Sequence, residues 1–397
     1  MNLLSLLSSV SAPKSLWVTL INWIQSGVGN FGWTIILVTI FVKIVTSPLD
    51  FWVKFNNKKQ TLVQQKCAPQ IAKLQKKFGN DRQSFQTQSQ SLYKREGLDM
   101  RSGCLVMLIN TILTFTIFIT FYNDLRKVSA YEAINQYEQI EATYTESYKE
   151  AYLDKSSAEY SFENWEAVEA KYAEVEAMAD GEEKFSIQAK LESYEKFATT
   201  EGSKDAVEYW KSHKSKISWL WIQNIWVADS GAKVFPSYDA LKSMAKDTGY
   251  TKYVNEEINK DNYNKIATVI SKSESRQNNG FHLLPILAGV VTFLSQFIAE
   301  LHTKLKNKKA NKLAKEANPN AASTMKIMKI VMPLVMVIFT LTATASFGLY
   351  ILASNLSTMA LGELTNLIIN KLTKKKQLEV EEALEKEANR LIKKGQF

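Results

Sequence analysis

Thr39, Lys43, Thr46 and Ser47 fall at i, i+4, i+7 and i+8 within WTIILVTIFVKIVTSPLDFW, residues 33–52. A helix therefore gathers them on one face as a polar stripe. At a rise of 1.5 Å per residue Lys43 lies about 15 Å from Trp33 and about 13 Å from Trp52, the depth of a bilayer midplane. A lysine at that depth costs about 2.5–3.5 kcal/mol on insertion scales and must face protein or a water-filled cavity. The acids within the apolar stretches 33–52, 103–122, 281–299, 327–345 and 348–369 are Asp50, about 10 Å further along the same helix, and Glu363 near the end of the last stretch, neither at the depth of Lys43. A hydrated cavity is the cheaper solution. The chemistry such a site offers is electrostatic, a fixed positive charge for an acidic or polar segment. Covalent chemistry has no support: His213, His282 and His302 are scattered, and HExxH, GxSxG, phosphate-loop and paired-cysteine spacings are absent. No enzyme activity, cofactor or metal is expected, and Cys67 and Cys104 form no close pair.

The apolar residues cluster into five stretches, each long enough to cross a hydrocarbon core about 30 Å thick. The spacing predicts an all-α polytopic membrane protein with spans at 32–53, 103–123, 281–301, 327–346 and 347–370. The last two form one nearly continuous run, twice a membrane in length as a single helix, so a turn is expected at Thr344–Gly348. Polar residues that match the stripe occur in the other spans: Asn110 and Thr114, Ser295 and Gln296, and Ser354, Asn355 and Thr358. Taken singly, such groups usually bond back to their own helix or join neighbouring helices.

Charge orients the chain. Segment 54–101 carries eleven Lys/Arg against three acids, 302–326 seven against one, and the tail from 371 eight against five. Segment 125–280 carries twenty basic and twenty-seven acidic residues, against a net charge of +9 for the whole chain. The basic segments belong in the cytoplasm, the acidic one outside, the N-terminus outside and the C-terminus inside. The start MNLLSLLSSV lacks the basic residues that precede the apolar core of a cleavable signal. Residues 1–31 contain an amphipathic interfacial helix at KSLWVTLINWIQSGV, with Leu16, Trp17, Leu20 and Trp23 at helical spacing.

Residues 54–102 read as a basic cytoplasmic helical hairpin, with a stop at Gly79–Asn80 and a cap at Asp81. Residues 124–280 read as a helical extracytoplasmic insertion, in which Tyr131 to Tyr152 and then Trp165, Val168, Tyr172, Val175 and Met178 step by three and four as core stripes. Trp219, Trp221 and Trp226 in ISWLWIQNIW suit an outer membrane interface. A basic loop, 302–326, and a cytoplasmic tail, 371–397, complete the chain.

In order, TIILVTIFVKIVTSPLD, APQIAKLQKKFGND with SLYKREGLDMRSGCL, WLWIQNIWVAD, LLPILAGVVTFLSQ, MPLVM and GLYILASNL resemble the YidC membrane protein insertases, a family with mitochondrial and chloroplast relatives. The resemblance spans essentially all but the tails and most of the outer segment. It implies five helices around a hydrophilic groove open to cytoplasm and lipid and closed outside, in a bacterial plasma membrane. A characteristic arginine of the first span lies in that groove, and Lys43 stands at its position, keeping the charge without the planar fork. GLDMRSGCLV lacks the prolines usual beside its Gly-Cys pair, and a large outer segment between the second and third spans departs from the family pattern.

On this reading a nascent membrane segment enters the groove, held near Lys43 among Thr39, Thr46, Ser47, Asn110, Thr114, Gln296, Ser354 and Asn355. It then slides out past Ile112, Phe115, Ile119, Leu352 and Leu356. The expected partners are nascent membrane proteins, the ribosome or an anionic lipid surface at the basic hairpin and tail, and the Sec translocon. A monomer is expected. Two alternatives stay open, a small-solute or anion transporter using Lys43 and a structural membrane scaffold, although no paired halves or internal repeat favour the first.

Overall fold

The computed structural model describes residues 10–78, 81–98, 100–306 and 319–393. Among these residues every regular element is a helix, and β structure is confined to two isolated bridges. In chain order the helices are α1 (Leu16–Val28), α2 (Phe31–Phe78), α3 (Arg82–Arg95), α4 (Met100–Ser156), α5 (Trp165–Ala177) and α6 (Glu182–His213). After these come α7 (Tyr238–Ala245), α8 (Thr251–Glu256), α9 (Lys260–Ser273), α10 (Leu283–Lys306), α11 (Pro319–Thr342) and α12 (Ala345–Lys393). Both α2 and α4 are long and apolar enough to cross a membrane, and shorter apolar stretches occupy Leu283–Ile298 and Val331–Thr342.

No break separates the apolar part of α2 from the basic stretch after 53, or that of α4 from the acidic stretch after 123. The following residues are mainly Lys, Gln, Glu, Ala and Tyr, with no glycine stop, so each helix continues. The hairpin stop at Gly79–Asn80 lies outside the described residues, as do 1–9, 307–318 of the basic loop and 394–397 of the tail. Asp81 caps α3, its carboxylate accepting from the N–H groups of Gln83 at 3.1 Å and Ser84 at 3.0 Å. The turn between the last two apolar helices falls at Ala343–Thr344, where the Thr344 carbonyl accepts from the N–H groups of Phe347 at 3.1 Å and Gly348 at 3.2 Å.

The chain divides into two compact units. One comprises Ile36–Phe121, Pro285–Phe339 and Tyr350–Phe397 and holds the polar stripe. The other comprises Met1–Ile35, Tyr122–Leu284 and Thr340–Leu349. In this second unit the end of α4 packs with α5 and α6 around Tyr152, Val168, Val175, Leu191, Tyr194 and Ala198. The stripe residues Tyr152, Val168 and Val175 are core because each recurs on the inner face of its helix. A further aromatic group joins Tyr137 to Tyr263 at 4.5 Å and Trp210 to Phe235 at 5.5 Å, with the Tyr263 hydroxyl donating to the Pro236 carbonyl at 2.9 Å.

Three apolar helices begin against one loop of this unit, residues 217–229. Ahead of α2, the Asn30 amide donates to the carbonyls of Ser215 and Ser218, both at 2.8 Å, and Phe31 meets the Trp226 ring edge-on at 5.0 Å. The first N–H groups of α12 donate to the loop, Ala345 to the Val227 carbonyl at 3.0 Å and Ser346 to that of Ile225 at 2.8 Å. At the start of α10 the buried Asp229 carboxylate accepts from the N–H groups of Phe281 (2.8 Å), His282 (3.2 Å) and Leu284 (2.6 Å), and from the Trp221 indole (3.2 Å). It caps a helix more than fifty residues away in sequence. Gly280 permits this approach, since a Cβ there would overlap the carboxylate. Asn279 completes the knot, its amide donating to the carbonyls of Asn224 at 2.8 Å and Val227 at 3.0 Å while its oxygen accepts from the Asn224 N–H at 2.7 Å.

Two of the three tryptophans of this loop are held inside the protein. Trp226 and Trp219 are buried, and only Trp221 is partly open, because the loop folds inward onto Phe31 and Gly32.

Replacing Asp229 with Ala strands three N–H groups at a helix start and is expected to cost about 1–3 kcal/mol. Asp229→Asn, which keeps an acceptor, should cost less, and thermal unfolding of the detergent-solubilised protein reads the difference. Glu132, on α4, has its carboxyl pushed up to about 7 by burial, the charge of Lys216 offsetting part of this. The folded state holds this proton more tightly than the unfolded one, so stability is greatest below about pH 4.5 and falls as pH rises to about 7. Glu132→Gln should flatten that slope and stabilise the protein at pH 8 by up to roughly 3 kcal/mol in the same assay.

Candidate functional site

Within the first unit, α2 carries the polar stripe opposite an apolar face. Leu37, Phe41, Ile44 and Val45 are exposed, while Thr39 is buried and Lys43, Thr46 and Ser47 are half-buried. A helix with apolar residues outward and polar residues inward is arranged for a hydrocarbon surround.

The Lys43 ammonium makes no hydrogen bond or ion pair with a described residue; the acid whose charge acts on it is Asp50. Asp50 stands seven residues on, two turns along the same face, and Lys54 lies beyond it. The Lys54 ammonium sits against Gly362 of α12, 3.1 Å from where a Cβ would stand. The stripe thus extends from Thr39 to Lys54, further than the four residues identified by spacing. The i+7 and i+11 offsets of Asp50 and Lys54 from Lys43 carried that signal.

Two hydroxyls of the stripe serve the helix itself. Thr46 donates to the Val42 carbonyl at 3.0 Å and Ser47 to the Ile44 carbonyl at 2.8 Å. The Ser47 bond has a specific cause. Pro48 has no N–H, so the carbonyl four residues back, that of Ile44, lacks its backbone donor. The hydroxyl of Ser47 supplies one, as proline in an apolar helix requires.

The other polar residues are distributed unevenly. The Asn355 amide on α12 donates to the Thr292 hydroxyl on α10 at 2.7 Å, and Thr292 bonds back to the Ala288 carbonyl at 2.6 Å. Thr292, a hydroxyl among several in that helix, had no distinguishing sequence signal. Ser354 is half-buried, and Asn110 and Gln296 are half-buried without a side-chain hydrogen bond to a described residue. Thr114 is exposed on α4 in the same apolar band as Ile112, Phe115 and Ile119. On α12, Leu356 is exposed and Leu352 half-buried.

Contacts among the helices centre on α12. Its Tyr350 ring lies 6.1 Å from Phe118 and 4.7 Å from Phe121 of α4. Asn355 reaches α10, and Gly362 faces α2. Gly289 of α10 lies so close to Val337 of α11 that a Cβ would overlap its side chain, the close approach that small residues allow between apolar helices. The structure therefore joins Asn355 to α10 and the lower stripe to α12, but among the described residues brings no second-helix polar group into bonding range of Lys43.

Beyond the apolar part, α2 pairs with α3. Lys66 and Glu96 form an ion pair at 2.7 Å, which holds the Glu96 carboxyl below and the Lys66 ammonium above their ordinary ranges. A cleft of about 320 Å³ between these helices is lined by Lys73, Lys77, Arg95 and neutral polar residues, with Leu74 and Leu92. Cys67 is buried, and burial pushes its thiol up, away from reactivity.

The family profile described as 60Kd inner membrane protein matches residues 23–158 and 211–376. Among curated proteins the chain is 32% identical over 104 residues to the membrane protein insertase YidC of Wolinella succinogenes, covering 26% of this chain and 19% of that protein. It is 35% identical over 102 residues to the YidC insertase of Stenotrophomonas maltophilia, covering 26% of this chain and 17% of that one. A Fusobacterium nucleatum YidC insertase is 31% identical over 105 residues, 26% of this chain and 49% of its own length. The chain thus aligns with less than a fifth of the first two relatives, and no solved structure matches it. With the profile covering most of the sequence, from the lead-in to α2 through the apolar part of α12, the chain belongs to the 60Kd inner membrane protein family, that of the YidC insertases.

Proposed function

We propose that this chain is a membrane protein insertase that admits nascent membrane segments through a hydrophilic groove open to the cytoplasm and to lipid. The observation that carries this reading is Lys43, half-buried on a helix whose opposite face is apolar and without a bonded counter-ion among the described residues. Two unit charges 4 Å apart attract by about 4 kcal/mol at an effective dielectric of about 20. That is comparable to the insertion cost of a carboxylate, about 2.5–3.5 kcal/mol, so a resident cation offsets the penalty of an acidic segment passing it without any fuel. The names of the YidC relatives support the same activity.

The groove is lined by five spans at 32–53, 103–123, 281–301, 327–346 and 347–370. The basic hairpin and tail lie in the cytoplasm, and 124–280 and the N-terminus lie outside. Lys43 is the groove charge, Thr39, Asn110, Gln296, Ser354 and Asn355 are polar lining, and Ile112, Phe115, Ile119, Leu352 and Leu356 form the lipid-side slide. Ser47 and Thr46 hold the helix, and Thr114 lies with the slide. The cleft lined by Lys73, Lys77 and Arg95 suits ribosomal RNA or anionic lipid, both of which present phosphates. The insertase works as a monomer, alone or beside the Sec translocon.

Expression in bacteria depleted of their own insertase tests the activity: the intact protein should restore insertion of a small membrane substrate, and failure of the well-expressed chain to do so sinks the reading. Lys43→Ala should slow insertion of acid-tailed substrates about tenfold, equivalent to about 1.4 kcal/mol, and Lys43→Arg should retain it. Equal rates for Lys43→Ala and the parent would remove the lysine from the mechanism, and anion flux through protein-loaded liposomes would favour a transporter instead.

A further inference from the structure

In the outer unit, Trp219 and Ile222 exchange two backbone hydrogen bonds, both 2.8 Å, closing a two-residue turn whose central residues are Leu220 and Trp221. Leu220 has φ 48°, in the left-handed region, and Trp221 has no positive φ. A turn with positive φ at its first central residue normally places glycine there, since a side chain is strained. Here that side chain is a leucine, 70% exposed. Water gives no return for either the strain or the exposure.

A second apolar side chain is built beside it. Phe281, 54% exposed, precedes His282, which also has a left-handed φ of 61°. Arg276 ties the two together: its guanidinium lies 4.4 Å from the Phe281 ring centroid, donates to the Asn279 carbonyl at 3.2 Å, and donates to the Trp221 carbonyl in the Leu220 turn. Trp33, at the start of the apolar run of α2, packs edge-on against Trp219 at 5.8 Å, and Phe281 stands two residues before α10. Exposed aliphatic and aromatic tips, a tryptophan collar and an arginine at the mouths of two apolar helices have the composition of a headgroup–acyl boundary.

We propose that the Leu220 tip and Phe281 insert into the outer leaflet of the membrane, so that the outer domain is held on lipid by its own side chains as well as by the helices that enter it. This rests on the reading of α2 and α10 as membrane spans.

The test attaches an environment-sensitive fluorophore to single cysteines at 220, 281, 204 and 45 in the full chain, with Cys67 and Cys104 replaced by alanine and helicity checked by circular dichroism. The protein is reconstituted in phosphatidylethanolamine/phosphatidylglycerol vesicles, with nitroxide quenchers placed shallow or deep in the acyl chains. Labels at 220 and 281 should show blue-shifted emission, quenched at least twofold more by the shallow nitroxide than by the deep one. The label at 204, on exposed Lys204 of α6, should stay water-like. Val45, exposed on α2, should be quenched by the deep nitroxide. Water-like emission at 220 and 281 with position 45 quenched overturns the proposal and leaves the spans intact. Blue-shifted emission without lipid quenching assigns the tips to a protein partner or a second copy and also overturns it. An unquenched label at 45 removes the spans, and the proposal with them.

Discussion

The unit that contains Tyr122–Leu284 depends on how the irregular backbone of residues 217–229 is satisfied. Non-helical peptide groups near the ends of apolar helices have little water to fall back on, so each must find a partner within the protein. Asp229 accepts three consecutive-region N–H groups at the start of α10, Asn279 and Asn224 bond each other's backbones, and the first N–H groups of α12 find carbonyls in the same loop. One buried carboxylate and two buried amides therefore hold the loop against which three apolar helices begin. The family profile resumes at 211, just ahead of this loop, and its gap at 159–210 falls on α5 and most of α6. Val168, Leu191 and Tyr194 of that unmatched hairpin pack with Tyr152 at the end of α4, so it adds a core of its own.

The polar stripe shows a division of labour that residue type alone conceals. A hydroxyl in an apolar helix has two uses, to line a wet surface or to repair the backbone. In α2 the two uses fall on neighbouring positions: Ser47 repairs the gap left by Pro48, while Lys43, one turn earlier, has no such internal duty. The same sorting appears between α10 and α12, where Asn355 is bonded to Thr292 and so joins helices. Charge is harder to absorb than a hydroxyl, because no backbone group of a helix interior is free to neutralise an ammonium. An ammonium at that place in an apolar helix calls for water or polar protein around it.

Much of this was legible in the sequence, and the parts that were not have physical reasons. The all-helical class, the cap at Asp81, the core stripe Tyr152–Val168–Val175 and the turn near Thr344 all follow from local rules of periodicity and capping. The continuity of α2 past residue 53 and α4 past residue 123 was hidden because a change from apolar to charged residues marks a membrane boundary, not a helix end. The burial of Trp219 and Trp226 was hidden for a related reason: Trp suits both interfaces and cores, and only the inward fold of the 217–229 loop determines which rings are covered. Asp229 capping α10, and Thr292 pairing with Asn355, join residues fifty-five and sixty-three positions apart. No local pattern announces a bond of that range. The short helices α7 and α8, of 8 and 6 residues, carry too few turns for their periodicity to stand out.

Pro48 gives α2 a mechanical character along with its polar face. A helix that lacks one rung bends more readily at that rung than elsewhere, and here the gap is bridged by a single hydroxyl bond from Ser47. The basic arm from Lys54 to Phe78 belongs to the same helix as Lys43, with this weakened rung between them. Pro69 removes a second rung within the arm itself, but Pro48 is the one that lies between the arm and the charge, which makes the serine–proline pair a compliant joint where the arm meets the polar face.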